Sequence, residues 1–173
     1  MKCEYRSARI DDLPDIVRML ADDFLGQQRE RLEDPLPESY VRAFREIEGD
    51  PNNELIVVDL NVYAYDHPVD ETPPPLLRQE GSQKIVGTMQ LTFTASISFQ
   101  GGKRCTVESV RVDDKYRGKG IGREMMLWAI ERAKEKGCIS MQLTTSNDRA
   151  DAHRFYANLG FSASHIGMKL KLK

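Results

Sequence analysis

The sequence lacks several features that define whole classes of protein. It contains only three cysteines in 173 residues, Cys3, Cys105 and Cys138, and they form no CxxC pair. An odd number of widely spaced cysteines argues against a disulfide scaffold and a zinc site, and favours a reducing cytoplasm. No apolar run approaches the ~20 residues that a membrane-spanning helix needs. The first residues, MKCEYRSARIDD, contain no apolar signal-peptide core.

An excess of charge of either sign is also missing. The chain has 25 Lys and Arg against 27 Asp and Glu, a formal net charge of −2. This balance gives no support to nucleic-acid binding driven by phosphate neutralisation. The composition is that of an ordinary globular domain, with 40% hydrophobic and 30% charged residues. At this length we expect a single domain, 1–173, with a core of its own.

Hydrophobic periodicity predicts a mixed α/β domain. The strand and helix patterns follow the order β-α-α-β-β-β-α-β-α-β-β, and the last two strands are predicted at Phe161–His165 and Met168–Leu172. Between the second and third strands lies the segment 66–83, which contains His67-Pro68 and Pro73-Pro74-Pro75. Because so many prolines prevent a packed element, we interpret 66–83 as a mobile insertion. Such a loop is either functional or disordered, and we favour disorder.

The stretch with the clearest chemical meaning is Arg117-Gly118-Lys119-Gly120-Ile121-Gly122, between an apolar strand pattern and an amphipathic helix pattern. A tight turn from a strand into a helix directs free backbone N–H groups and the positive end of the helix dipole into one small space. That space suits a phosphate or pyrophosphate. The glycine spacing fits neither the Walker loop nor the dinucleotide fingerprint. The structural alternative is a glycine-rich turn that merely begins a helix.

This motif resembles the (Arg/Gln)-x-x-Gly-x-(Gly/Ala) signature of the GNAT superfamily of N-acetyltransferases, with Arg117, Gly120 and Gly122 at the signature positions. A second stretch, 147–161, resembles the other signature of that family, in which a helix with an FY…LGF segment leads into a final hairpin. The resemblance implies a GNAT fold, a central mixed sheet flanked by helices. It also implies an acyltransferase that uses acetyl-CoA as co-substrate and needs no metal.

The resemblance further implies where acetyl-CoA would bind. The strand before the turn would pair with the pantetheine arm, the loop amides would hold the pyrophosphate, and Asn147 would contact the arm. A helix N-cap or turn is an equally good interpretation of Asn147. The expected cofactor-binding residues are Val110, Arg111, Val112, Arg117, Gly118, Lys119, Gly120, Ile121, Gly122, Arg123 and Asn147.

Two residues are candidates for acid–base catalysis. Glu108 lies in a predicted central strand, where period-two alternation places its side chain on the face of Val110 and Val112. Partial burial there would raise its pKa, and several family members have a glutamate on this strand acting as base, often through water. The alternative for Glu108 is a structural ion pair. By resemblance Tyr156 protonates the departing thiolate, and its alternative is a packed aromatic residue. We interpret His153 as a surface or capping residue.

The acceptor of the acetyl group is less well defined. The first two helices and their loop usually form the acceptor side of this fold. Here they contain an excess of acidic residues, which favours a cationic amine, although arginines among them could equally grip a carboxylate or phosphate. We expect a small-molecule primary amine as partner, without nucleic acid or membrane. An amino acid, an amino sugar or a protein N-terminus stays open, as does a homodimer formed through strand edges. The alternative from another class is a non-catalytic coenzyme A-binding or sensing module.

Overall fold

A computed structural model describes residues 2–22, 26–61 and 83–172 of the chain. Its strands are Cys3–Ser7 (β1), Asn53–Asn61 (β2), Gln83–Ala95 (β3), Lys103–Val112 (β4) and Cys138–Gln142 (β5). Its main helices are Leu13–Ala21 (α1), Glu38–Gly49 (α2), Ile121–Glu135 (α3) and Ala150–Ala157 (α4). The predicted proline-rich insertion, 66–83, lies outside the described residues except for Gln83, which begins β3.

The five strands form one mixed sheet in the order β1-β2-β3-β4-β5. The pairs β1·β2, β2·β3 and β3·β4 are antiparallel, and β5 is parallel to β4. Parallel neighbours need a crossover connection, and α3 provides it. The predicted α/β fold with a mixed sheet flanked by helices is therefore confirmed.

Helices cover both faces of the sheet. On one face α3 packs Met125, Met126 and Ala129 against the main hydrophobic core. On the other face α1 packs Ile16 and Met19 against a smaller cluster. Because both faces are covered, consecutive strand residues are buried together, as in the run Ile56, Val57 and Val58 of β2. No described helix is both long enough and apolar enough to cross a bilayer.

The two strands predicted at the C-terminus, Phe161–His165 and Met168–Leu172, are not strands in the structure. The alternating apolar residues Ile166, Met168 and Leu170 are 84–95% exposed. Alternation describes a side-chain pattern, but a strand also needs a neighbouring backbone with which to pair. Over the described residues the edge strand β5 pairs only with β4, so the last regular element is α4.

Candidate cofactor cleft and active site

β4 has partners on both sides over only the first part of its length. Its pairing with β5 ends at Thr106↔Gln142, whereas its pairing with β3 continues as far as Val112↔Gly87. Among the described residues, the side of β4 that faces β5 therefore has no ladder partner from Val107 onward. Such an edge can pair with another extended chain. Here the carbonyls of Val110 and Val112 accept hydrogen bonds from the Arg111 and Arg117 side chains at 3.0 and 3.1 Å.

A β-bulge interrupts β4 at Ser109, whose φ is 54°. Between Gln90↔Glu108 and Thr88↔Arg111, β4 contains one residue more than β3. This extra residue shifts the alternation by one position. Val110 and Val112 therefore pack against the same core as Val107, and Glu108 lies on the other face. The predicted common face for Glu108, Val110 and Val112 is wrong, because simple alternation does not continue through a bulge.

The loop after β4 is anchored by Asp113, whose side chain is 2% exposed. Its carboxylate accepts a hydrogen bond from the Lys115 N–H at 3.1 Å and thereby caps a short 3-10 turn. Arg18 of α1 forms an ion pair with the same carboxylate at 3.0 Å. Burial alone would raise the pKa of Asp113, but these hydrogen bonds and the Arg18 charge lower it below its ordinary value. The first helix is thus fixed directly to the start of the glycine turn.

The glycine turn has the conformation that the sequence motif requires. Gly118 and Gly120 have φ values of 76° and 85°, and no atom lies within 4 Å of the position that a Cβ would occupy at either residue. Backbone conformation, not lack of space, therefore explains both glycines. Gly120 is the N-cap of α3. The N–H groups of Ile121 and Gly122 consequently lie in a first helical turn, where the helix itself supplies no acceptor, at the positive end of its dipole.

These elements enclose a cleft of about 470 Å³. Its lining residues are Val112, Tyr116, Arg117, Gly118, Gly120, Ile121, Gly122, Arg123, Phe155, Asn158 and Leu159. Seven of these belong to the predicted cofactor set, so the structure brings most of that set to one place. The cleft lies directly beside the unpaired part of β4, because Val112 belongs to both.

Four residues of the predicted set do not line this cleft. Val110 and Arg111 lie on β4 next to it, and the Lys119 ammonium lies 5.0 Å from the ring centre of Tyr116. Asn147 is exposed in the turn before α4. The N-cap of that helix is Arg149, so the N-cap interpretation of Asn147 is wrong and the turn interpretation is confirmed.

The two candidate catalytic side chains differ in their surroundings. Glu108 is exposed, not partly buried as expected, and it forms no ion pair within the described part of the chain. Tyr156 is half-buried, with edge-to-face contacts to Phe155 and Phe161 at centroid distances of 5.1 and 5.9 Å. This burial raises the pKa of Tyr156 above its ordinary value. The exposed His153 places its Nε2 3.0 Å from the Ser146 carbonyl oxygen, in agreement with a surface role.

Comparison with known proteins assigns the family. Residues 17–161 match the profile described as the acetyltransferase (GNAT) family. The chain belongs to the GNAT family. It is 43% identical over 60 residues to an aminoalkylphosphonate N-acetyltransferase of Salmonella typhimurium, covering 35% of this chain and 39% of that protein. It is 33% identical over 89 residues to a glucosamine 6-phosphate N-acetyltransferase of Trypanosoma brucei brucei, covering 51% and 58%.

The GNAT chain spans about half the length of the curated relatives it matches. A solved structure covers more of it. The crystal structure of a transcriptional regulator from Bacillus halodurans C-125 is 47% identical to this chain, with a TM-score of 0.82, and the match covers 99% of this chain and 100% of that one. The fold, the glycine turn and the family assignment therefore agree.

Sequence reasoning missed several residues of the GNAT cleft. Phe155 and Leu159 line it at i, i+4 spacing on and just after α4, and the FY…LGF motif already contained that signal. Tyr116 also lines the cleft, with the Lys84 ammonium 5.2 Å from its ring centre. Lys84 lies in β3, far from the motif in sequence, and no local pattern could have associated the two.

Proposed function

We propose that this GNAT chain transfers the acetyl group of acetyl-CoA directly to a primary amine of a small molecule. The observation that supports this most strongly is the position of the glycine turn beside the unpaired edge of β4. The first-turn N–H groups of α3 suit the pyrophosphate. The β4 edge suits the amides of an extended pantetheine arm. We propose that the amides of this arm form hydrogen bonds with the backbone of Val110 and Val112, and that Asn147 makes a further contact with the arm.

The chemical step balances without a covalent enzyme intermediate. The amine nitrogen attacks the thioester carbonyl carbon, a C–N bond forms, the C–S bond breaks, and coenzyme A departs as a thiolate. One proton must leave the amine and one must reach the sulfur. The products are the acetylated amine and coenzyme A with a free thiol.

We assign the removal of the amine proton to Glu108. Its exposure leaves the carboxylate accessible to water, which suits a base that acts through a water molecule. It also lies next to the Ser109 bulge, at the point where β4 has lost its β5 partner. Glu108 forms no ion pair with another described residue, so the alternative of a structural ion pair has no support there.

We assign protonation of the thiolate to Tyr156. A tyrosine with an ordinary pKa is protonated at neutral pH, and burial raises the pKa of Tyr156 further, so the phenol is in the state that a general acid needs. Its neighbour Phe155 lines the cofactor cleft, so α4 would contribute to cofactor binding as well as to the protonation of the thiolate. The aromatic contacts of Tyr156 also fit the simpler role of a packed residue.

The test is release of free coenzyme A thiol from acetyl-CoA by the full chain with a panel of primary amines. We expect Glu108→Gln and Tyr156→Phe to lower kcat about 10²–10⁴-fold while the Kd for acetyl-CoA changes little. Glu131→Gln, on the exposed face of α3, is the matched control and should behave as wild type. If both variants keep the wild-type rate across pH, neither role is correct. If no amine releases thiol, the proposed activity is wrong.

A second candidate function is a coenzyme A-binding module that senses without catalysis. It is favoured by the relative from Bacillus halodurans C-125, which is described as a transcriptional regulator. The two functions differ in one measurement. A sensor would bind acetyl-CoA in the cleft yet release no thiol with any amine, and Tyr156→Phe would then be without effect.

We also propose that two copies of the chain associate and that the protein acts in a reducing cytoplasm. The exposed apolar side chains of Ile166, Met168, Leu170 and Leu172 support association, because such surfaces are usually covered in solution. The three cysteines, all without disulfide partners, suit a reducing compartment. Light scattering on the full chain tests the first proposal, and a monomer at all concentrations would contradict it.

A further inference from the structure

A second, smaller cavity of about 90 Å³ lies between α1, α2 and the sheet. It is formed by residues of both helices and of three strands, namely Leu13, Ile16, Leu20, Tyr40, Ala43, Phe44, Ile47, Leu55, Thr88, Gln90 and Ser109. It lies on the sheet face that α1 covers, whereas α3 and its core cover the other face. The cofactor contacts and the two proton transfers proposed above do not involve this cavity.

The cavity touches β4 at its bulge. Ser109 is part of its lining and is adjacent in the chain to Glu108, the proposed base. Gln90, another lining residue, is the direct partner of Glu108 across the β3–β4 ladder. Three residues beyond Ser109, Val112 lines the cofactor cleft. The segment 109–112 of β4 therefore runs from one cavity to the other, and Glu108 directly precedes it in the chain.

The described residues that line this cavity are mostly apolar, and none of them carries a formal charge. Seven of its eleven residues are aliphatic or aromatic hydrocarbons, and the other four are a tyrosine, a threonine, a glutamine and a serine. Three of these polar side chains already have partners. Thr88 Oγ1 donates to the Ile56 carbonyl at 3.1 Å, Gln90 Nε2 donates to Asn53 Oδ1 at 3.3 Å, and the partners of Tyr40 are described below. A phosphate needs cationic or clustered N–H donors, and this lining offers no cation.

The carboxylate of Glu30 contacts the lining through Tyr40. The Tyr40 hydroxyl donates to Glu30 Oε2 at 3.0 Å and accepts from the Arg31 backbone N–H at 2.9 Å. The Arg31 guanidinium itself is paired with Glu33 at 2.7 Å. A carboxylate beside the cavity attracts an ammonium group and repels a phosphate, so charge and polarity favour the same kind of ligand.

We propose that this cavity holds the side chain of the acetyl acceptor and that the acceptor is a primary amine with a small apolar group, without phosphate. The inference rests on the acetyl transfer proposed above. At ~30 Å³ for a group of the size of a water molecule, a cavity of about 90 Å³ takes roughly three such groups, which suits a short carbon chain. The acceptor class thus differs from the phosphonate and phosphate named for the two relatives.

The first experiment compares kcat/KM for straight-chain primary amines of two to eight carbons with that for 2-aminoethylphosphonate and glucosamine 6-phosphate. We expect kcat/KM to rise about fourfold with each added methylene until the cavity is full, and to level off or fall beyond it. The phosphonate and the phosphate should both be at least tenfold poorer than the best alkylamine. Preference for a phosphorylated amine, or no dependence on chain length, overturns the inference.

The second experiment fills the cavity. Ala43 lines it but is itself exposed on α2, so Ala43→Leu should fold normally. It should lower kcat/KM for the best alkylamine at least tenfold and leave the Kd for acetyl-CoA unchanged. Ser39→Leu places the same side chain at an exposed position of the same helix outside the lining and should behave as wild type. An unaffected Ala43→Leu enzyme overturns the inference.

The outcomes separate this inference from the proposed function. If amines are acetylated but phosphorylated ones are preferred, the acceptor class is wrong and the acetyl transfer stands. If acetyl-CoA binds and no amine of the panel releases thiol, the acetyl transfer fails, and the acceptor class fails with it. The acetyl-CoA affinity of Ala43→Leu shows in either case whether the variant is folded.

Discussion

The glycine turn predicts that replacing glycine by alanine has opposite effects on stability at Gly120 and at Gly122. Gly120 has φ 85°, a left-handed conformation that costs an alanine about 1–2 kcal/mol. Gly122 lies within α3, where alanine is favoured over glycine by up to about 1 kcal/mol. A Cβ at Gly122 would sit 3.7 Å from Phe155 and from Val112, an ordinary contact distance. Gly120→Ala should therefore destabilise the fold, and Gly122→Ala should stabilise it.

The assay is thermal unfolding of both variants without ligand. For a domain of this size 1 kcal/mol corresponds to about 2–4 °C. We expect Tm to fall by about 2–8 °C in Gly120→Ala and to rise by up to about 4 °C in Gly122→Ala. Equal shifts of the same sign would refute the conformational account of the turn.

We also expect Gly120→Ala to weaken acetyl-CoA binding, because it distorts the turn that lines the cleft, and Gly137 provides the matched control. It also has a positive φ, 73°, and no atom lies within 4 Å of the position that its Cβ would occupy, but it lies at the other end of α3 from the cleft. Gly137→Ala should lose about the same stability as Gly120→Ala while its Kd for acetyl-CoA stays at the wild-type value. A weaker Kd in Gly137→Ala would mean that stability alone, and not the turn, controls binding.

Two ion pairs and Tyr156 lead to three further predictions. Asp22→Asn removes the partner that holds the Arg117 guanidinium at 2.6 Å, and since the pair is partly exposed, calorimetry should show acetyl-CoA affinity raised by at most about fivefold. The lowered pKa of Asp113 contributes stability that is present above its unfolded pKa of 3.8 and is lost as pH falls through the lower folded value. Asp113→Asn should make the acid-induced loss of stability in urea unfolding smaller, and it should reduce stability by about 1–3 kcal/mol at pH 7. The raised pKa of Tyr156 should keep kcat from falling until above pH 10, and Tyr156→Phe should remove that alkaline fall from the pH–rate profile.

The parts of this fold that follow from local chemistry could be predicted from the sequence. The amphipathic spacing in α3 predicts a helix that packs one apolar stripe against the core, and the structure shows this. The continuous apolar run in β2 predicts a strand that is buried on both faces, and its residues belong to both core clusters. The glycine turn was predictable for the same reason, because only glycine adopts the φ values of Gly118 and Gly120 without strain.

The parts that depend on distant partners could not be predicted in this way. Ser109 gives no sign of the left-handed bulge that it forms, because the bulge results from the registers of β3 and β4. The bulge in turn moves Glu108 to the face opposite Val110. The segment after α4 has strand-like alternation and no strand partner among the described residues. The Asp22–Arg117 pair joins residues far apart in the chain, and no spacing rule relates them.

The most direct test of the central claim is thermal unfolding of the full chain with and without acetyl-CoA. At about 100 times its Kd the ligand should add ~2.7 kcal/mol, which raises Tm by roughly 5–10 °C. Gly122→Leu, which extends a side chain from the wall of the cleft, should abolish this shift. Gly49→Leu should preserve the shift, because Gly49 is the last residue of α2 and no atom lies within 4 Å of the position that its Cβ would occupy. A folded wild-type chain whose Tm does not respond to acetyl-CoA would contradict both the enzyme and the sensor.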